Sequence, residues 1–148
     1  MAVDAANEPL KMFYDLLAGV SALSSACGSR IGQTDGLDFS GFPCCFYDAI
    51  AEGMGESDAE RWQVRDYRIQ VDLWAGDTKQ LRTLALAIDE SLGSAVESGQ
   101  VSSTNWSAKT LRRLKDWNQL AWKERKDVSG NRVFQYTSDW QFRVARKQ

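Results

Sequence analysis

"VRDYRIQVDLWAGDTKQ" (residues 64–80) holds two structural periods side by side. From Tyr67 through Ile69, Val71 and Leu73, apolar residues alternate with Arg68, Gln70 and Asp72. A period of two marks a strand with one buried face. Gly76 then makes a turn, Asp77 or Thr78 can cap, and "KQLRTLALAIDESLG" (79–93) follows. Its Leu81, Leu84, Ala85, Ile88 and Leu92 are spaced for one face of a helix that Gly93 ends. Trp62 and Val64 fall on the other parity of the strand, so a bulge near Arg65–Asp66 is expected. Joints of this kind also bind anions, because free N–H groups at a helix start attract negative charge. This one is poorly equipped for it. Phosphate loops use several glycines with a placed Lys or Ser/Thr, whereas this turn has one glycine, and Asp77 is itself an anion at the helix start. The stretch reads as a corner of the scaffold.

Upstream, "NEPLKMFYDLLAGVSALSSACG" (7–28) predicts a single helix, with Asn7 to cap it, Pro9 in its first turn and Gly28 to end it. Leu10, Phe13, Leu17 and Val20, widened by Leu16 and Leu23, form its apolar stripe. Residues 28–42 are Gly-rich and read as a loop, "PCCFYDAI" (43–50) as an aromatic strand, and "AEGMGESDAE" (51–60) as an exposed acidic loop. Downstream, "SAVESGQVSSTNWS" (94–107) reads as a loop. In "TLRRLKDWNQLAWKERK" (110–126), Leu111, Leu114, Trp117, Leu120 and Ala121 have helical spacing, but broken strands fit as well, and residues 108–122 stay open. "DVSGN" (127–131) is a turn signal. After it, Phe134, Tyr136, Trp140, Phe142 and Val144 share one parity, so a hairpin of roughly 119–126 with 132–145 is expected. The element order predicts an α+β fold: a mostly antiparallel sheet covered by about two helices, in a single two-layer domain over 1–148.

Composition narrows the chemistry. With 148 residues, 43% hydrophobic content, six Trp and two Pro, the chain is long enough and apolar enough for a real core. It has no secretory pattern and no apolar run near the roughly 20 residues that span a bilayer, so a soluble protein made inside the cell, with no membrane partner, is expected. Three cysteines, Cys27, Cys44 and Cys45, are not a disulfide framework, and with no histidine they lack the spacing of a zinc site. Buried thiols are expected instead. The missing histidine also removes the usual general base, and no spacing singles out a carboxylate pair. No catalytic, cofactor or metal residue is therefore assigned.

Charge divides the chain. Residues 1–60 carry ten Asp/Glu and two Lys/Arg, and residues 61–148 carry ten and sixteen. Such asymmetry suits a nucleic-acid face on the basic half, or an acidic face meeting the basic face of a second copy, unless both sets of charges are merely solvated.

Four features carry a family resemblance: the N-terminal helix leading into "GSRIG" (28–32), the aromatic strand introduced by Pro43, "YRIQVDLWAGDTKQLRTLALAIDESL" (67–92), and the closing hairpin ending in "SDWQFRVARK" (138–147). Together they resemble the tail terminator, or tail completion, proteins of long-tailed bacteriophages and gene-transfer particles. The resemblance covers most of the chain and is weakest over 105–126. It implies a virion protein without enzyme activity or cofactor, assembled in the host cytoplasm as a homo-oligomeric, commonly hexameric, ring at the head-proximal end of the tail. Its implied partners are the major tail tube protein and a head-completion or neck protein, with DNA passing through the lumen without sequence-specific binding. A ring needs two different patches on each copy. The expected pair sets Glu56, Asp58 and Glu60 of one copy near Trp122, Lys123, Arg125, Lys126 and Arg132 of the next. Trp117 and Trp122 fit either an interface or the monomer's own core.

Three other readings compete. Residues 109–148 carry eleven Lys/Arg against four Asp/Glu, interleaved with Trp117, Trp122, Tyr136 and Trp140, as in modules that stack single-stranded nucleic acid. Against it stand the one-parity aromatics and a pI near 5.2. A small enzyme would need a carboxylate-based site or a phosphate cradle at Gly76–Thr78. Another neck or head-completion adaptor would share the ring without the tail-end position.

Overall fold

The computed structural model describes residues 8–33, 41–54, 64–95, 101–114, 122–127 and 129–147. Two short helices, α1 (Glu8–Ala18) and α2 (Ser21–Cys27), precede the strands β1 (Ile31–Gln33), β2 (Cys44–Met54) and β3 (Val64–Ala75). The helix α3 (Thr78–Ala95) follows, then β4 (Trp106–Arg113), β5 (Trp122–Lys126) and β6 (Arg132–Arg146). The strands form one sheet in the order β1-β2-β3-β6-β4, with β5 also paired to β6. Only β1 runs parallel to its neighbour. This is the α+β architecture expected, with three helices in place of about two.

The opening corner organises the sheet. Unbroken pairing from Val64↔Ala145 to Ala75↔Phe134 joins β3 to β6 along its whole length. The period-two faces coincide, so Tyr67, Ile69, Val71 and Leu73 lie opposite Phe142, Trp140, Ser138 and Tyr136, all buried. At the turn, the Asp77 carboxylate accepts the Gln80 N–H at 2.6 Å and so caps α3. An added methyl at Gly76 would meet nothing, so the corner turns on the Asp77 cap and not on a glycine requirement.

All three helices pack on one face. Phe13 of α1 sits between Tyr47 and Phe142, with ring centroids at 5.7 and 5.9 Å. Leu23 and Cys27 of α2 and Leu81, Leu84, Ile88 and Leu92 of α3 complete the core. Glu8 ties the start of α1 to the segment before β4, accepting from Ser103 Oγ at 2.9 Å and from the Asn105 N–H and Nδ2 at 3.1 and 2.6 Å. Burial pushes its carboxyl up, but these donors, with Arg146, outweigh it and hold Glu8 below the ordinary value.

Several expectations are corrected. The N-terminal helix is two: Val20, buried at the break, has an extended backbone (φ −76°, ψ 103°). A β-branched residue after Gly19 is a weak point in a helix, and the break turns Leu23 and Cys27 inward. The 28–42 loop contains β1, and β2 runs on to Met54 because β3 offers partners as far as Arg65. The bulge expected at Arg65–Asp66 is in the facing strand, where Ile50 is the extra residue between Ala49↔Ile69 and Ala51↔Arg68. Trp62 is outside the described residues. Gly93 does not end α3, which continues to Ala95. Residues 106–113, of which Trp106 and Ser107 fall in the expected Ser-rich loop, form β4, so the open segment 108–122 is strand as far as Arg113 and again at Trp122. Trp117 is outside the described residues. The hairpin is as expected, with Trp122–Lys126 paired to Arg132–Tyr136. Asp127 Oδ1 accepts the N–H groups of Ser129 and Asn131 at 2.9 and 2.8 Å, and Gly130 takes the positive φ of 84° that the turn needs.

Candidate assembly interface

The acidic half supplies β1 and β2 at one edge, and the basic half supplies β4 and β5 at the other. With β3 and β6 between them, β2 and β4 are three strand spacings apart, about 15 Å. That exceeds the screening length of about 8 Å at physiological salt, so the edges do not neutralise each other within one copy.

At the acidic edge, β1 covers β2 only from Cys45 to Tyr47. Beyond it, Asp48 is exposed with no ion-pair partner among the described residues, and Ile50 at the bulge is 49% exposed. Tyr14 of α1, 37% exposed, leans against Tyr47 with ring centroids 6.4 Å apart. Burial pushes the Tyr47 hydroxyl up to about 12, and the neighbouring Tyr14, Asp15 and Asp48 push the same way. Lys11 pairs with Asp15 at 3.4 Å and Arg65 with Glu52 at 3.2 Å, both at the surface. Glu56, Asp58 and Glu60 are outside the described residues. From Asp48 to Glu60 the sequence holds five acids and no base.

At the basic edge, Lys109 protrudes from β4 where the register with β6 shifts between Ala108 and Thr110. Lys123, Arg125 and Lys126 of β5 are exposed, and none of these four has an acidic partner among the described residues. Trp122 lies in β5 opposite Tyr136, with its side chain outside the described residues. Arg132 differs from its neighbours: it binds Glu124 at 2.5 Å and lies 5.7 Å over the Phe134 ring, an internal pair that holds its guanidinium above its ordinary value. The structure therefore gathers Lys123, Arg125 and Lys126 on one edge and occupies Arg132 within the hairpin.

The face away from the helices balances its own charges. Arg143 grips Asp66 with two nitrogens at 2.8 and 3.0 Å, Arg68 meets Asp139 at 2.8 Å, and Arg112 meets Gln141 at 2.7 Å. Asp72 accepts from Gln135 and Thr137. These are cross-strand neighbours, each worth about 0.2–1 kcal/mol. Tyr136 and Trp140, 3% and 0% exposed, are core residues, which removes two of the stacking platforms of the nucleic-acid reading.

Cys27, Cys44 and Cys45 are free and buried. Burial pushes the Cys27 and Cys44 thiols up to about 11 and 12 and Cys45 well above its ordinary value. They are neutral, unreactive core groups. No cluster that could hold a metal exists among the described residues, and no described helix is long and apolar enough to cross a membrane.

A chain of a gene transfer agent virion has this fold. The solved structure is the virion of a native gene transfer agent particle; the match covers 89% of this chain and 90% of that one, with a TM-score of 0.59. At 16% identity the likeness is one of fold. Fifteen chains of solved structures match, while no family model and no curated protein does.

Sequence reading missed Tyr14, Asp48, Ile50 and Lys109. A signal for two of them was present: in "FYDAIAE" (46–52), Asp48 and Ile50 share a parity opposite to Tyr47 and Ala49, which places a large aliphatic beside a charge on an outward position.

Proposed function

We propose that this chain is a virion structural protein that closes into a ring at the head-proximal end of a phage-type tail tube, ends tube growth and joins the tail to the neck. The observation that carries the reading is the placement of the exposed Asp48 at one edge of the sheet and of Lys109, Lys123, Arg125 and Lys126 at the other, in a fold shared over nearly its whole length with a gene transfer agent virion chain. A ring is a heterologous contact that closes by rotation, so each copy must offer two different and complementary surfaces. The two edges of this sheet meet that need. The ring has six copies, its partners are the major tail tube protein and a head-completion protein, DNA passes through the lumen without being read, and the protein performs no catalysis. The self-paired charges of the helix-free face suit this, because they leave few free cations there to grip phosphate.

Deleting the gene from the producing genome separates this role from that of another neck adaptor. Loss of a terminator yields overlong tubes of broad length distribution that are not attached to heads. Tubes of normal length beside heads that leak DNA would contradict the terminator role and support an adaptor. Tail lengths measured by negative-stain microscopy distinguish the two.

A further inference from the structure

The contact itself can be specified further, on the basis of the ring reading. We propose that the edge of β2 at Asp48 and Ile50 receives the basic edge formed by β4 and β5 of a second copy of this chain. Three observations support this occupant.

The first is composition of the patch. Tyr14 and Ile50 are two of the three large hydrophobic residues exposed among the described residues; Tyr14 leans on Tyr47 of β2, and Ile50 is the bulge residue of β2, two positions after the exposed Asp48. An exposed aliphatic side chain beside an unpaired charge on a strand edge suits a protein contact. The second is complementarity. Asp48 lacks an ion-pair partner at one edge, and Lys109, Lys123, Arg125 and Lys126 lack one at the other, among the described residues.

The third is the pair of bulges. An exposed strand edge is a template for open-ended sheet growth, and a bulge with charged neighbours blocks it. Each of these two edge strands has one bulge, at Ile50 in β2 and at Lys109 in β4. Neither β2 nor β4 therefore offers a regular ladder to a neighbour. The two edges meet through side chains, so the angle between copies is set by packing at Tyr14 and Ile50 and by charge register. That permits closure into a ring instead of extension into a fibre.

Charge exchange between variants tests this. Asp48→Lys with Ile50→Lys sets two cations on β2 against the cations of β4 and β5, and Arg125→Glu with Lys126→Glu sets two carboxylates on β5 against Asp48. All four side chains are exposed, so each variant should unfold at the wild-type temperature. Native mass spectrometry of each variant alone should show the ring lost, with assembly weakened roughly tenfold or more. Mixed in equal amounts, the variants should form rings again, with an even number of copies and equal content of each. Variants that form rings alone, or mixtures that stay monomeric beside an intact wild-type ring, would overturn this contact and leave the ring itself standing. A wild-type chain that stays monomeric would overturn both.

Discussion

Replacing Trp140 with alanine is expected to cost the fold about 3–5 kcal/mol, read as a lower midpoint in urea unfolding. Trp140 is wholly buried and lies opposite Ile69 of β3 and Arg113 of β4, so its indole fills the centre of the sheet under the helices. Its Nε1–H also donates to Ser138 Oγ at 3.0 Å, and Ser138 is itself 5% exposed. Alanine would leave a cavity and a buried hydroxyl without its indole partner, and the two penalties add. Against a typical total stability of about 5–15 kcal/mol, that is a large fraction. A loss below about 1 kcal/mol would mean that the sheet centre is not packed around this side chain.

Arg113→Ala should be the next most damaging change, at about 2 kcal/mol near neutral pH. Arg113 leaves β4 to meet Asp89 of α3 at 2.8 Å and the Tyr136 hydroxyl, and its guanidinium lies 5.5 Å over the Tyr136 ring. Burial raises the Asp89 carboxyl above its ordinary 3.8, and Arg113 pulls the other way. Asp89 Oδ1 has no hydrogen-bond partner among the described residues. Without Arg113 the half-buried carboxylate is stranded, and its pKa rises further. Because the native value then lies above the unfolded one, the penalty is fully present at neutral pH and shrinks as pH falls through the native value towards 3.8. Urea unfolding at pH 7 and at pH 4 should therefore give a smaller difference between variant and wild type in acid. An equal difference at both would show that lost packing, and not the stranded charge, is the cause.

How far these features are legible in the sequence depends on how local their causes are. The corner at Asp77 and the hairpin at Gly130 are written in adjacent residues: a capping carboxylate, a positive-φ glycine, and side-chain parity. The register of β3 against β6 follows because slipping by one residue would turn Tyr67, Ile69 and Val71 to solvent. The errors arise where a distant partner decides. Residues 51–54 look like loop until β3 offers them hydrogen bonds, and 106–113 look ambiguous until β6 does. The bulge was assigned to the wrong member of a pair, because a change of parity in one strand is also relieved by an extra residue in its neighbour. The charge polarity was visible as a count. That β2 and β4 lie at opposite edges comes only from topology, since the strand order separates them by two strands. Arg132 shows the same limit: its charge is evident in the sequence, but its pairing with Glu124 depends on the hairpin register.

The central claim is that this 16.6 kDa chain closes on itself through two unlike edges. Native mass spectrometry of the purified wild-type protein, with negative-stain images of the same sample, tests it most directly. The expected result is a closed ring of six copies that weakens as salt is raised, since the contact is charged at its rim. A monomer at every concentration, or an open filament with no fixed copy number, would contradict it.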